Sequence, residues 1–260
     1  MTQRESIMPS SPLKTERNGA LLHLRFNRPA SLNAIDSAMA GVFQQSVEQA
    51  VADPDIRVIV LSGEGRSFMA GGDIAQFAAD PDSIPDSLIE PMNQAIDLLS
   101  RCDKIVLGSV QGPIAGAGMS LALACDLLIA ADTTRFSFAY TALGVSGDLG
   151  ITWTLPRQLG LRRAMSVALL GETIKAEEAL ALDLVNQLVP ADHLEDRTEE
   201  LAQRLCRLPA LAAGNIKRLL RSGLEQDLIS QLAAEKQAFS QCIAHPDFDN
   251  AVQGFLTKRS

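Results

Sequence analysis

The hydrophobic pattern of the first half of the chain alternates between short apolar runs and longer amphipathic stretches. Three runs are almost entirely apolar, at residues 56–61, 105–110 and 126–131. Runs of this length and composition are typical of strands that are covered on both faces of a sheet. Because these strands alternate with helical patterns, the sequence predicts an α/β fold built from crossover units.

Amphipathic helices are predicted between these strands. Asp36 is a favourable N-cap for a helix that runs to about residue 52. Shorter helical patterns cover residues 73–77, 87–101 and 116–124. A first strand is predicted over residues 20–26, and the proline-containing residues 78–85 are expected to form a mobile loop.

From residue 149 onward the pattern is almost wholly helical. The predicted helices cover residues 149–159, 162–170, 176–181, 192–207, 210–222, 226–243 and 247–257, and one short strand covers 184–189. We interpret residues 1–17 as a loose N-terminal tail, 18–205 as the core, and 206–260 as a helical region for packing and oligomerisation.

Composition and charge exclude several kinds of partner. The 23 basic and 31 acidic residues give a net charge of −8, and only 4% of residues are aromatic, which argues against nucleic-acid binding. No apolar run approaches the roughly 20 residues of a membrane span, and the first residues do not resemble a secretory signal. The four dispersed cysteines predict reduced thiols in a cytoplasmic protein, and no residue spacing fits a metal site.

Two loops rich in small residues follow the first two buried strands. Residues 67–73 and 112–119 consist mainly of glycine, alanine and other small side chains, and each leads into a predicted helix. The N–H groups at the start of a helix lack intrahelical partners and carry positive partial charge. Two such loops brought together are expected to form a cradle for an oxygen anion.

Both loops resemble the signatures of the enoyl-CoA hydratase/isomerase (crotonase) superfamily. The matching stretches are Phe68-Met69-Ala70-Gly71-Gly72-Asp73, residues 111–118 with Ala124-Cys125-Asp126 behind them, and Arg28-Pro29 followed by Leu32-Asn33-Ala34. The resemblance implies a spiral of strand–strand–helix repeats with a helical C-terminal trimerisation region, giving a homotrimer or hexamer. It places the oxyanion-hole N–H groups at Ala70 and Ala117, although the family usually has glycine at the second position.

The usual acid and base of the family are missing from this sequence. Hydratases of the family use two glutamates, and the matching positions here hold Ser120 and Tyr140. The candidate replacement is Asp148, whose surroundings resemble the subgroup of phenylacetate-pathway ring-epoxide isomerases and enoyl-CoA isomerases. In that subgroup a single aspartate moves protons. The alternative is that Asp148 is only an N-cap for the helix that follows it.

The leading hypothesis is therefore an acyl-CoA enzyme that stabilises a thioester enolate and shifts a double bond, with Asp148 as the proton carrier. One alternative is an enoyl-CoA hydratase with a non-standard acid/base. Another is a hydrolase similar to the aryl-CoA dehalogenases with Asp148 as nucleophile, which the resemblance disfavours because Met92 aligns with their assisting histidine. A non-enzymatic CoA-binding or assembly subunit is a fourth possibility.

The resemblance also suggests binding residues. The expected substrate-binding residues are Tyr140, Ser120, Ile74, Gly116 and Leu143. The expected CoA-binding residues are Arg28, Ala30, Leu32, Phe255 and Lys258. The CoA is part of the acyl-CoA substrate, so no cofactor is predicted, and no NAD or ATP motif is present. Glu90 is more readily explained as a solvated charge at a helix end than as a residue facing the pocket.

Overall fold

The computed structural model describes residues 11–257, and its central feature is a six-stranded sheet. The strands of the chain are β1 (Leu13–Asn18), β2 (Leu21–Phe26), β3 (Val58–Gly63), β4 (Ile105–Val110), β5 (Pro113–Ala115), β6 (Leu127–Ala131), β7 (Arg135–Ser137), β8 (Ile174–Lys175) and β9 (Gln187–Val189). The large sheet has the order β1-β2-β3-β4-β6-β9. Only its β1–β2 pair is antiparallel.

The expectation of a loose tail over residues 1–17 is wrong for its last part. Leu13 begins the edge strand β1, which pairs with β2 from Leu13↔Phe26 to Asn18↔Leu21. Only Leu13 of the six residues of β1 is buried, and the other five are exposed and polar. The strand therefore contains no continuous apolar run. An edge strand with one covered residue therefore lacks the pattern that identified the inner strands.

Helices account for most of the remaining chain. They are α1 (Ser37–Ala52), α2 (Ile74–Ala79), α3 (Glu90–Arg101), α4 (Ala117–Ala124), α5 (Ile151–Leu159), α6 (Leu161–Leu170), α7 (Ala176–Ala181), α8 (Leu194–Cys206), α9 (Ala210–Ser222), α10 (Leu228–Ile243) and α11 (Pro246–Thr257). Residues 78–85, expected to be a mobile loop, instead contain the end of α2 and a 3-10 turn at Pro81–Ser83. A π-helical stretch, Pro85–Ile89, then leads into α3.

A second, three-stranded sheet has the order β5-β7-β8 and confirms the strand–strand–helix repeat. Strand β4 of the large sheet is followed by β5 of the small sheet and then by α4. In the same way β6 is followed by β7 and then, after a loop, by α5. The first unit has only a single-residue version of the inner strand, in which Met69 bridges Ile114. The repeats stack the loop after β3 against the loop after β4.

The two faces of the large sheet pack against different helices. On β3, Ile59 and Leu61 belong to the main core, which also includes buried residues of α1, α3 and α4. Val58 and Val60 point to the other face, where they pack with residues of α8. This alternation is expected for a strand that is covered on both sides.

A buried ion pair attaches the C-terminal helices to the core. Lys217 of α9 is only 3% exposed, and its Nζ lies 2.8 Å from Oδ2 of Asp126. Arg221, one helical turn later, donates to Oδ1 of the same carboxylate at 2.7 Å. Asp126 directly follows α4 and also accepts a hydrogen bond from the backbone N–H of Val106 in β4. The helix α9 is thereby fixed to the base of two strand–helix units.

No helix within residues 11–257 combines the length and the apolar character that a membrane crossing requires.

Candidate active site

The loop after β3 offers a different N–H group from the one expected. Ala70 N–H donates to the carbonyl of Leu32 at 3.0 Å, so this group is already occupied. Nearby, Ile35 and Gly72 form a single-residue parallel bridge. In this bridge the N–H of Ile35 donates to the carbonyl of Gly71, and the N–H of Asp73 donates to the carbonyl of Ile35. That bridge leaves the N–H of Gly72 without a hydrogen-bond partner among residues 11–257. The assignment of the oxyanion-hole donor to Ala70 is therefore wrong in this structure, and Gly72 in the same loop offers an unpartnered N–H instead.

A capping interaction occupies two amides at the start of the helix that follows Gly72. Asp73 is the N-cap of α2, and its Oδ1 accepts hydrogen bonds from the N–H groups of Ala75 and Gln76. The carboxylate thus occupies the amides of the second and third residues of α2.

Arg28 supports this loop from the side. Its guanidinium lies 2.9 Å from Oδ2 of Asp73 and 3.1 Å from Oδ2 of Asp36, and it also donates to the carbonyl of Ala34. The guanidinium of Arg28 lowers the pKa of Asp73 below its usual value. Arg28 therefore links the first loop to the N-termini of α1 and α2. The CoA-binding role expected for it would compete with these contacts.

The loop after β4 provides the second free amide. Gly116 has a φ of +50° and is the N-cap residue of α4, whose first residue is Ala117. The N–H of Ala117 has no hydrogen-bond partner among the described residues, as is usual for the first residue of a helix. The side chain of Ala117 is 96% buried, so a residue larger than glycine is accommodated here.

The two loops lie in direct contact. A Cβ atom added to Gly118 would come within 2.0 Å of the carbonyl oxygen of Met69. Ala115 N–H also donates to that carbonyl at 3.3 Å. Because no side chain fits between the loops at Gly118, α4 starts directly against the first loop. This contact brings together the two loops that carry the unpartnered amides of Gly72 and Ala117.

A chain of three hydrogen-bonding side chains lies next to the second loop. Ser120 Oγ on α4 lies 2.7 Å from the hydroxyl of Tyr140, which in turn donates to Oδ1 of Asp148. A Cβ on Gly116 would lie 3.9 Å from the ring of Tyr140. The three candidates Ser120, Tyr140 and Asp148 are therefore brought together, and the two positions that match the missing glutamates face each other.

Asp148 does not cap the helix that follows it. The N-cap of α5 is Gly150, with no side-chain capping bond, and the helix begins at Ile151 rather than at residue 149. The side chain of Asp148 instead binds Tyr140. Burial raises the pKa of Asp148 above its ordinary value, while the hydrogen bond from Tyr140 acts in the opposite direction. A carboxylate in this environment has the character of a general base.

Burial also affects Tyr140, which is 6% exposed. Desolvation and the nearby charge of Asp148 raise the pKa of the phenol well above its usual range. Tyr140 consequently remains protonated and serves as a donor at all pH values near neutrality.

Exposed apolar side chains flank the acidic residue along the chain. Leu143 and Val145 are each 51% exposed, Trp153 of α5 is 40% exposed, and Ile74 at the start of α2 is 51% exposed. Ala30 is also exposed, in a 3-10 turn at Pro29–Ser31 beside the first loop.

Other expected residues lie apart from this site or outside the described structure. Glu90 is exposed and accepts a hydrogen bond from Gln94, as expected of a solvated charge. Met92 is fully buried. Lys258 lies outside the described residues, and the side chain of Phe255 is likewise outside the description.

A cavity of about 1100 Å³ lies elsewhere, on the α8 side of the large sheet. Its lining includes Val60, Ser62 and Thr198, and it includes none of Ser120, Tyr140 and Asp148. No group of three or more His, Cys, Asp or Glu side chains within residues 11–257 is arranged to hold a metal ion.

Two unpartnered backbone amides beside a partly buried carboxylate define a class of site that can hold an oxyanion next to a base. The model of the family described as enoyl-CoA hydratase/isomerase matches residues 16–260. The chain belongs to the enoyl-CoA hydratase/isomerase family, whose members act on acyl-CoA substrates, and this confirms the resemblance.

Some individual relatives are named as hydratases and others as isomerases. A protein of Rhodobacter capsulatus named probable enoyl-CoA hydratase is 36% identical over 95% of each chain. The 1,2-epoxyphenylacetyl-CoA isomerase of Escherichia coli is 35% identical over 92% of this chain and 93% of its own. The crystal structure of an enoyl-CoA hydratase from Polaromonas superimposes with a TM-score of 0.90 at 31% identity, covering 95% of this chain and 97% of that one.

Proposed function

We propose that this protein is an enoyl-CoA isomerase in which Asp148 carries the proton. The observation that carries the proposal is the carboxylate of Asp148 at the end of the Ser120–Tyr140 chain, at a site where Ser120 and Tyr140 supply only hydroxyl groups. One base suits a reaction that removes a proton and returns it elsewhere on the same molecule. The only cofactor-like group required is the CoA of the substrate itself.

The proposed reaction begins with a 3-enoyl thioester. The Asp148 carboxylate removes a proton from C2, and the electron pair of the C–H bond moves into the conjugated system to form a dienolate. The N–H groups of Gly72 and Ala117 hold the negative thioester oxygen. One such donor typically contributes roughly 3–4 kcal/mol to transition-state stabilisation.

The second step reverses the direction of the proton. The neutral carboxyl of Asp148 donates its proton to C4, the double bond moves between C2 and C3, and the carboxylate is restored. A general base of this kind typically contributes about 10²- to 10⁴-fold in rate. Burial supports both steps, because a raised pKa brings the acid and base forms of Asp148 closer in energy near neutral pH.

The test is the variant Asp148→Asn assayed on a 3-enoyl-CoA. We expect the turnover number to fall at least about 100-fold, with the circular dichroism spectrum unchanged. Asp132→Asn is the matched control, because Asp132 is exposed and directly follows β6. Wild-type turnover in folded Asp148→Asn would exclude Asp148 as the proton carrier.

The second candidate is hydration, because a relative with 36% identity is named probable enoyl-CoA hydratase. In that reaction Asp148 would activate a water molecule for attack on a 2-enoyl thioester. Incubation with crotonyl-CoA separates the candidates, since a hydratase forms a 3-hydroxyacyl-CoA and the isomerase does not. A rate of hydration that exceeds the rate of double-bond migration would favour the hydratase.

We also propose that the protein forms a homotrimer or a pair of trimers. Support comes from large apolar residues on the C-terminal helices that are more than half exposed in the single chain: Ile216, Leu220, Leu228, Ile229, Leu232, Phe239 and Leu256. Surfaces of this kind are typical of contacts between subunits. Light scattering coupled to gel filtration is expected to give three or six times 27.8 kDa, and a monomer would contradict the proposal.

A further inference from the structure

We propose that Tyr140 is a positioning residue that holds Oδ1 of Asp148 and leaves Oδ2 as the one oxygen that exchanges the proton. The inference rests on the proposed function, in which Asp148 is the proton carrier. The inference gives a role to Tyr140, which occupies a position that holds a glutamate in the two-glutamate hydratases of the family.

The ring of Tyr140 is fixed on several sides. Tyr140 begins the 3-10 turn Tyr140–Leu143, and its backbone N–H donates to the carbonyl of Phe138 at 2.7 Å. Its ring packs edge-on against the ring of Phe138, with 4.9 Å between the centroids. Its own carbonyl accepts a hydrogen bond from the N–H of Val145. The hydroxyl therefore has little freedom to leave Asp148.

The distribution of protons gives the chain of hydrogen bonds a direction. An ionised carboxylate only accepts, so the single O–H of Tyr140 is donated to Asp148. The phenol oxygen then accepts from the hydroxyl of Ser120, which lies 2.7 Å away and closer than the Gly116 carbonyl at 3.3 Å that the same hydroxyl can also reach. Ser120 is 1% exposed and lies on α4, the helix that begins with Ala117. The direction Ser120 to Tyr140 to Asp148 thus connects the carboxylate to the helix that carries the second amide.

The two oxygens of Asp148 have different environments. Oδ1 accepts from Tyr140, whereas Oδ2 has no hydrogen-bond partner among residues 11–257. Oδ2 is also absent from the fully buried unpaired atoms of this part of the chain, which are Ser62 Oγ, Arg163 Nε and one oxygen of Glu172. Oδ2 is therefore the oxygen of Asp148 that is not fully buried and has no donor among residues 11–257. When Asp148 takes up a proton, Tyr140 continues to donate to Oδ1 and the new proton occupies Oδ2.

The hydrogen bond also affects the charge state of the base. Burial disfavours the ionised carboxylate, and a donor that binds the ionised form more strongly offsets part of that effect. Ser120, Tyr140 and Asp148 have no Lys, Arg, His or other carboxylate as a hydrogen-bond or ion-pair partner within the described residues. Tyr140, from the turn, is hydrogen bonded to Asp148, and Ser120 of α4 lies behind it. The pH response of the site is therefore assigned to this chain of three residues.

The experiment compares wild-type protein with Tyr140→Phe and Ser120→Ala on a 3-enoyl-CoA from pH 4.5 to 9. Loss of a hydrogen bond to a charged group typically corresponds to about 1 pH unit or more. We expect the acid limb of kcat/KM in Tyr140→Phe to move to higher pH by that amount. Ser120→Ala is expected to shift it less and in the same direction, since it acts through Tyr140.

A purely structural role for Tyr140 predicts a different result. It would lower the rate equally at every pH and leave the acid limb in place, and that outcome overturns the proposal. Ser120→Ala keeps the test decisive if Tyr140→Phe folds poorly, because the serine variant leaves the ring and its packing intact. If Tyr140→Phe does not fold, an unchanged acid limb in folded Ser120→Ala overturns the proposal.

Titration of the carboxylate separates this proposal from the proposed function. Protein labelled with ¹³C at the aspartate carboxyls gives a signal for Asp148, assigned by its loss in Asp148→Asn. If Asp148→Asn retains full turnover, the isomerase mechanism fails, while the titration still measures whether Tyr140→Phe raises the pKa of Asp148. If Asp148→Asn is inactive and the titration midpoint is the same in wild type and Tyr140→Phe, the positioning role fails and the proposed function stands.

Discussion

Lys217 provides the sharpest prediction for stability, because its ammonium group is buried and fully engaged. Its Nζ donates to the carbonyls of Leu99 at 2.6 Å and Lys104 at 2.8 Å, and it lies 2.8 Å from Asp126. The side chain is only 3% exposed. Replacement by methionine keeps most of the side-chain volume and removes every one of these bonds.

The expected cost of Lys217→Met follows from these contacts. Removing one partner of a buried ion pair typically costs about 3–5 kcal/mol. Arg221 remains on Asp126 and limits the effect, whereas the carbonyls of Leu99 and Lys104 lose a charged donor. We therefore expect a loss of about 3–4 kcal/mol in the free energy of unfolding. For a chain of this size such a loss lowers the melting temperature by roughly 6–16 °C.

Urea unfolding followed by the fluorescence of Trp153 is the assay, with the midpoint compared at equal protein concentration. The matched control is Lys236→Met, because Lys236 is exposed on α10 and its side chain has no ion pair in the described structure. The control is expected to change the free energy of unfolding by less than about 0.5 kcal/mol. A loss below about 1 kcal/mol in Lys217→Met, with an unchanged slope of the transition, would refute the reasoning.

The remaining predictions concern the site. Burial raises the pKa of Asp148, so wild-type stability falls as pH rises from about 4 through the folded pKa. Asp148→Asn should therefore melt higher than wild type at pH 7 and equally below about pH 4, and an equal difference at both pH values would contradict this. Gly118→Ala brings a Cβ to 2.0 Å from the carbonyl of Met69 and should reduce kcat at least about 10-fold, whereas Ala117→Gly keeps its N–H and should retain most activity. Gly41→Ala, in open space on α1, is the control for adding a methyl group and should raise the free energy of unfolding by about 0.5–1 kcal/mol. Comparable losses of kcat in Gly118→Ala and Gly41→Ala would contradict the role assigned to the contact between the loops.

Buried elements were predictable because their patterns are strong. The strands around residues 58–63, 105–110 and 127–131 and the helix α1 with its Asp36 cap follow the predicted order. The short inner strands β5, β7 and β8 were not predicted, since two or three residues contain no period that a pattern can show. Their existence depends on pairing with residues distant in the chain.

The candidate site was predictable as a set of residues and not as a set of contacts. Asp148, Tyr140 and Ser120 were each identified, and the structure adds that the three are hydrogen bonded in one chain. The expected oxyanion-hole donor was Ala70, whereas the structure offers the N–H of Gly72. The sequence could not show this, because the direction of an amide depends on the backbone segment that pairs with it. The carbonyl of Leu32, which occupies the N–H of Ala70, is 38 positions away in the sequence, and no local motif reveals that pairing.

The single-residue bridges beside the two loops have a consequence for ligand binding. Ile35 pairs with Gly72, and Met69 pairs with Ile114, so each loop is held by a neighbouring segment before any ligand arrives. The orientation of the amide dipoles is then part of the folded ground state, and a bound oxygen anion requires no rearrangement of the backbone. Hydrogen exchange at Ile35 and Asp73, whose N–H groups form the first bridge, should therefore be slow without ligand and change little when an acyl-CoA binds.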